Sequence, residues 1–386
     1  MIIKNATVFT EQGIFEKKDI LIKEGRFIEI GNFIENDTED EVVDAEGLMA
    51  IPGLTDLHFH GCMGVDFCDG TKGAFDTIAT YQARHGVTTI CPATMTIEEE
   101  SLIKVCETVK SFIEETSDQV QGAKIAGINM EGPFVSSAKK GAQNEAYIRK
   151  VDLDLYRMMQ AKSGNLIKLV DLAPELEGAM EFIQAVKDEV VISVAHTEAD
   201  YDTAMAAFEK GASHVTHLYN AMPPYSHRTP GVVGAASDSK HSTVELICDG
   251  IHIHPSVVRN TFRIFGKERI TLISGSMMAT GLKDGEYTLG GQKVYVKGKK
   301  ATLADGTVAG SVSNLLDCMR TCVKEMGIPL EEAIWSATVT PAKVLGIYDQ
   351  CGSITPGKMA HLVLLNEALK VQQVYVSGKR LVTVTR

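Results

Sequence analysis

An α/β fold is predicted: a (β/α)8 TIM barrel with a small β-sandwich domain formed by both chain ends. Three observations lead there. Short apolar runs alternate with helix-period stretches through the middle of the chain, both ends are rich in β-type runs, and 386 residues suffice for one large barrel plus an accessory module.

The elements follow in order. Residues 2–9, 18–23, 27–31 and 41–44 read as strands, alternating or running apolar between Gly, Asn and Asp punctuation. From residue 53 the rhythm changes. Strands are expected at 53–57, 88–91, 125–130, 167–172, 190–195, 214–216, 243–247 and 270–273, with helix-period segments such as 98–115, 151–162, 177–187 and 200–210 between them. A doubly wound open sheet is the structural alternative, but neither a GxGxxG turn nor a GxxxxGK[ST] loop supports a nucleotide site. Residues 285–302 read as a β-hairpin excursion. A Gly-rich turn at 352–357 precedes strands at 360–366 and 371–376 and a final Val-rich stretch. The expected division is 1–52 with 352–386 as the sandwich, and 53–351 as the barrel.

Composition narrows the function. Apolar residues make up 44% and charged residues 23%, a globular balance. A net charge of −12 without a basic stripe argues against a nucleic-acid partner. No apolar run approaches membrane-spanning length, and the N-terminus lacks the basic flank and apolar core of a signal peptide. Eight scattered cysteines without a CxxC pair suit a reducing compartment. A cytoplasmic setting is expected.

Polar residues gather where the expected strands end. The first ends in His58-Phe59-His60, the third in Glu131-Gly132-Pro133, the fifth in His196-Thr197, the sixth in His217-Leu218-Tyr219-Asn220, and the seventh in Asp249-Gly250-Ile251-His252. In a TIM barrel strand C-termini share one mouth, so distant residues become neighbours. Residues i and i+2 of a strand point to one side, which aims His58 and His60 together. Imidazoles with a carboxylate suit a borderline divalent ion, zinc or iron first and manganese or cobalt next. An isolated His-x-His is a weak signal, but agreement among four strand ends marks His58, His60, Glu131, His196 and His217 as candidate ligands. His85, His241 and His361 lie away from the mouth; His214 opens its strand at the far end and reads as structural, and His254 as a helix-entry residue.

The strings PGLTDLHFHG (52–61), NMEGPF (129–134), AHTEAD (195–200), THLYNAM (216–222), TPGVVGAA (229–236) and CDGIHIHP (248–255) resemble those of N-acetylglucosamine-6-phosphate deacetylases, within the amidohydrolase superfamily. The resemblance covers nearly the whole chain and implies a (β/α)8 barrel with a β-sandwich built from both ends. It implies hydrolysis of the N-acetyl group of N-acetyl-D-glucosamine 6-phosphate, with Glu131, His196 and His217 holding the main metal. His58 and His60 match a pair found in members that hold a second ion, giving one or two per chain. Ala142 and Gln143, Asn220 and Ala221, and Val308, Ala309 and Gly310 match substrate contacts. His252 matches a histidine that contacts the sugar and polarises the acetyl carbonyl. Arg228 matches a phosphate contact reaching the neighbouring subunit's substrate, which implies a homodimer. One position departs: where the family carries its aspartate general base, this chain has Gly275, in Ser274-Gly275-Ser276-Met277-Met278-Ala279-Thr280-Gly281. The resemblance therefore implies impaired turnover. The alternatives are the galactosamine epimer as substrate, another amidohydrolase such as a dihydroorotase or dipeptidase (relatives that often use a carboxylated lysine on the fourth strand, where Lys168 lies too far before the strand end and reads as structural), or a non-catalytic sugar-phosphate-binding homologue.

Overall fold

The computed structural model describes residues 1–35, 41–116 and 121–383. The expected Val-rich end therefore falls partly outside the described residues, at 384–386. Eight parallel barrel strands run β1 (Leu54–Asp56), β2 (Val87–Ile90), β3 (Ile128–Glu131), β4 (Ile167–Leu172), β5 (Val191–Val194), β6 (His214–Val215), β7 (Thr243–Ile247) and β8 (Ile270–Ile273). Strands β3 to β8 pair in chain order, and β1 pairs with β2. The Ala93–Asn129 bridge joins these two sets. The ring closes between β8 and β1, where the Gly275 amide donates to the His58 carbonyl at 3.0 Å and the His60 amide to the Ser276 carbonyl at 2.7 Å.

Helices between the strands start where the sequence supplies caps. Thr71, Asp152, Asp200 and Asn314 each accept a backbone N–H of the first turn of their helices, satisfying one of the amides left unpaired there. His254 caps Pro255–Phe265, the helix-entry role expected of it. Along β1 and its extension, Phe59 is fully buried with Phe67 and Phe75 in the main core. That burial stabilises the fold by about 1.5–3 kcal/mol and turns the flanking histidines the other way.

Strands from both termini form one eight-stranded sheet, which includes Met49–Pro52, a strand not anticipated from the sequence. The sheet folds back on itself, with the Phe27 amide donating to the Lys358 carbonyl and the Gly357 amide to the Phe27 carbonyl. Its own core holds Ile3, Val8, Ile20, Phe27, Leu362, Leu364 and Tyr375. The expected hairpin at 285–302 is a three-stranded meander: Gly285–Leu289, Gln292–Lys297 and Lys300–Thr302. Among the described residues, no helix is long and apolar enough to cross a membrane. All eight cysteines are free thiols.

Candidate active site

The barrel mouth opens into a pocket of about 350 Å³. His58, His60, Glu131, His196, His217, His252 and Gly275 line it, as do Ala142, Gln143, Asn220, Ala221, Val308 and Gly310. Two candidates lie off this surface. Ala309 is fully buried in a small apolar cluster with Met95 and Met277, and its amide donates to Ala301. Arg228 is exposed on a loop, against His227 at 2.6 Å.

Glu131 organises the centre. Its Oε1 lies 3.0 Å from His196 Nε2 and 3.2 Å from His217 Nε2; its Oε2 lies 3.5 Å from His58 Nε2 and 3.4 Å from His60 Nε2. One carboxylate thus faces two histidine pairs, with one oxygen toward each. The Nε2 atoms of His196 and His217 approach each other to 3.2 Å. His196 donates Nδ1–H to the Lys139 carbonyl at 2.8 Å, which leaves its Nε2 lone pair for the cluster. His196 and His217 both have positive φ, +42° and +29°, a conformation that non-glycine residues rarely adopt and that turns their rings out of the strand direction.

The donor set fits a divalent cation. His58, His60 and Glu131 form one group and Glu131, His196 and His217 another, with the ligand atoms of each group within 4.8 Å of one another. Glu131 Oε2 and the Nδ1 atoms of His60 and His217 are buried without hydrogen-bond partners. The electrostatics agree. Burial pushes Glu131 up, but the His58 charge and the facing imidazoles of His196, His217 and His58 hold it well below the usual carboxylate range. Burial pushes His58 down, yet the carboxylates of Glu245 and Glu131 outweigh it and raise His58 well above its ordinary value. Burial, with the His58 and His217 charges, lowers His60 to about 4 despite Glu131. The site calls for positive charge in a dry place.

Two carboxylates support the ring of histidines. Glu245, fully buried on β7, accepts from His58 Nδ1 at 2.9 Å, from the His217 backbone amide at 2.9 Å and from His214 Nε2 at 3.2 Å. Asp249 accepts from His252 Nδ1 at 2.8 Å and from the Ile251 and His252 amides. Burial pushes Asp249 up, but these bonds and the His252 charge hold it below the ordinary carboxylate range. The sequence reading missed Glu245; a glutamate inside the apolar run Thr-Val-Glu-Leu-Ile was the available signal. His214, read as structural, is buried and also bonds Thr243 Oγ1 at 2.6 Å.

Gly275 has φ +57°. Its carbonyl accepts from the Ser311 amide at 2.7 Å, and a Cβ there would meet Ile247 Cδ1 at 3.0 Å. Lys168, read as structural, is half-buried and does not line the pocket.

Residues 49–381 match the model of the amidohydrolase family. The chain is 35% identical over 373 residues to the N-acetylglucosamine-6-phosphate deacetylase of Bacillus subtilis, covering 96% of this chain and 94% of the relative. It is 34% identical over 379 residues to an N-acetylgalactosamine-6-phosphate deacetylase of Escherichia coli O157:H7, covering 98% of each. Among solved structures, a mutant N-acetyl-D-glucosamine-6-phosphate deacetylase of Mycobacterium smegmatis in complex with N-acetyl-D-glucosamine-6-phosphate superposes with a TM-score of 0.91, at 31% identity, over 99% of both chains. With that fold, that mouth and these relatives, the chain belongs to the amidohydrolase family and groups within it among the N-acetylglucosamine-6-phosphate deacetylases.

Proposed function

We propose that this chain hydrolyses the N-acetyl group of N-acetyl-D-glucosamine 6-phosphate to glucosamine 6-phosphate and acetate, a step of amino-sugar breakdown. The observation that carries the reading is the Glu131 carboxylate shared by two histidine pairs in the pocket. Glu131, His196 and His217 hold the main divalent ion, zinc or iron ahead of manganese or cobalt, and His58 and His60 with Glu131 hold a second. Such an ion supplies Lewis-acid polarisation of the amide carbonyl and a more acidic water.

The chain's own residues do the rest. Asp249 holds His252 Nδ1–H and leaves Nε2 for the pocket, where in its protonated form it donates to the acetyl oxygen. Asn220, Ala221, Ala142, Gln143 and the loop of Val308, Ala309 and Gly310 seat the sugar. Gly275 has no side chain to move a proton between water and the departing amine, so turnover is reduced. Arg228 reaches the phosphate bound by a partner subunit of a homodimer. The domain division is 1–52 with 352–386 against 53–351, and the enzyme works in the cytoplasm without nucleic-acid or membrane partners. The galactosamine epimer is the second reading, favoured by the Escherichia coli relative.

A side-by-side assay tests this. Metal content, binding and turnover are measured on both N-acetylhexosamine 6-phosphates for the parent chain, His196→Ala and His217→Ala. Preference for the glucosamine epimer is expected, with activity abolished and most metal stripped in both variants. Full metal occupancy in both would remove the ligand assignment. Binding without any turnover would leave a sugar-phosphate-binding homologue.

A further inference from the structure

Glu245 touches neither the pocket surface nor Glu131, yet it joins two parts of the centre that come from different strands. Its Oε2 accepts the His58 Nδ1–H at 2.9 Å and the backbone N–H of His217 at 2.9 Å, while Oε1 faces His214 Nε2 at 3.2 Å. A carboxylate only accepts, so each ring nitrogen that meets it donates. Glu245 thereby keeps a hydrogen on His58 Nδ1, and Nε2, 3.5 Å from Glu131 Oε2, is the nitrogen that would give up its proton to ligate an ion. The His217 amide anchors the same oxygen, so the ring following β1 is registered against the ligand-bearing turn after β6. With no side-chain exposure, Glu245 has no water with which to exchange these bonds.

From this geometry we propose that Glu245 is a positioning residue for the second metal ion, setting the ring orientation and basicity of His58. The inference rests on the reading of His58 and His60 as ligands of that ion. Outer-sphere partners of a metal-bound histidine typically contribute 10- to 100-fold in affinity. Glu245→Gln keeps the shape and one acceptor oxygen but removes the charge. Glu245→Asp keeps the charge but withdraws it from His58 by one methylene.

The test uses the full-length chain purified with Co²⁺. Bound metal is counted by elemental analysis and then withdrawn stepwise with a competing chelator while cobalt absorption is followed; His58→Ala is run in parallel. In the parent chain two ions are expected, the second leaving first. In both Glu245 variants that ion should dissociate about 10- to 100-fold more readily, with the ion on His196 and His217 held as before. His58→Ala should lack the second ion altogether. Two ions of parental affinity in the Glu245 variants, with one lost in His58→Ala, would overturn the role of Glu245 alone. Parallel loss of both ions together with a lowered unfolding temperature would make Glu245 merely structural. One ion in the parent and in His58→Ala alike would overturn the second-site reading and this inference with it.

Discussion

At the scale of single residues, Gly275 has the clearest consequence. Glycine neither accepts the water's proton nor delivers one to the amine, and a general acid–base group typically contributes about 10²–10⁴-fold. Gly275→Asp should therefore raise turnover by about 10²-fold or more while changing substrate binding much less, since the group acts mainly in the transition state. The structure adds a cost absent from the sequence: φ is +57° and the new Cβ meets Ile247 Cδ1 at 3.0 Å. Aspartate is among the residues that tolerate a left-handed conformation, and the Ile247 methyl is the far end of its side chain, so about 1–2 kcal/mol of stability should be lost. Parallel kinetics and denaturant unfolding check both halves. An unchanged rate in a folded variant would mean that another group moves the proton. The five candidate ligands were legible as histidines and a glutamate at strand ends. Glu245 was not, because its worth lies entirely in contacts with His58, His214 and the His217 amide, from residues 28 to 187 positions away.

At the scale of elements, the turn after β6 and the loop that follows it matter most. The strand itself is only His214–Val215, and positive φ recurs at His217, Tyr219 and Ala221 before the chain reaches Gly231–Asp238. The loop presents Arg228 from a turn closed by Ser226 Oγ and Thr229 Oγ1 at 2.6 Å. Among the described residues no carboxylate lies within ion-pair distance of Arg228, so its guanidinium is available to a phosphate, which Arg can grip with two parallel bonds. Arg228→Ala should weaken binding of the 6-phosphate by about 10- to 100-fold, the scale of a charged hydrogen bond, and hardly affect the unphosphorylated sugar. Calorimetry on both ligands decides it: equal losses would exclude the phosphate contact. Normal phosphate binding by a chain that stays monomeric would exclude the cross-subunit part. The strands were readable from their apolar runs. The left-handed turns were not, because His, Tyr and Ala carry none of the glycine signal that marks such conformations.

At the scale of the whole molecule, the terminal sheet and the barrel meet at His361. Its carbonyl accepts from the Gly53 amide at 3.0 Å and its Nδ1 from the Ser377 amide at 3.1 Å. Burial, with Lys124 adding to it, lowers His361 to about 4 from the ordinary 6.5. The sign follows from proton counts. Between those values the unfolded chain binds the proton and the folded chain does not, so stability is lost as pH falls through 6.5 toward 4. From pH 7 to pH 5 this histidine should account for a loss of about 2 kcal/mol. Urea unfolding of the parent and His361→Gln at both pH values measures it. The variant should lose about that much less, and identical pH dependence in the two proteins would contradict the assignment.

What the sequence determined by itself was whatever is local or periodic. Strand and helix alternation, β-rich ends and the placing of polar residues at strand ends follow from side-chain spacing along a single element, and they are enough for the barrel and its mouth. Only the tertiary structure decided how Glu131 divides its two oxygens between histidine pairs, how Glu245 joins His58 to the turn at His217, and how the terminal sheet folds back at Phe27 and Lys358. Those are contacts between residues far apart in the chain. They depend on closing the ring and the sheet, which places their partners and excludes the water that would otherwise satisfy the same groups.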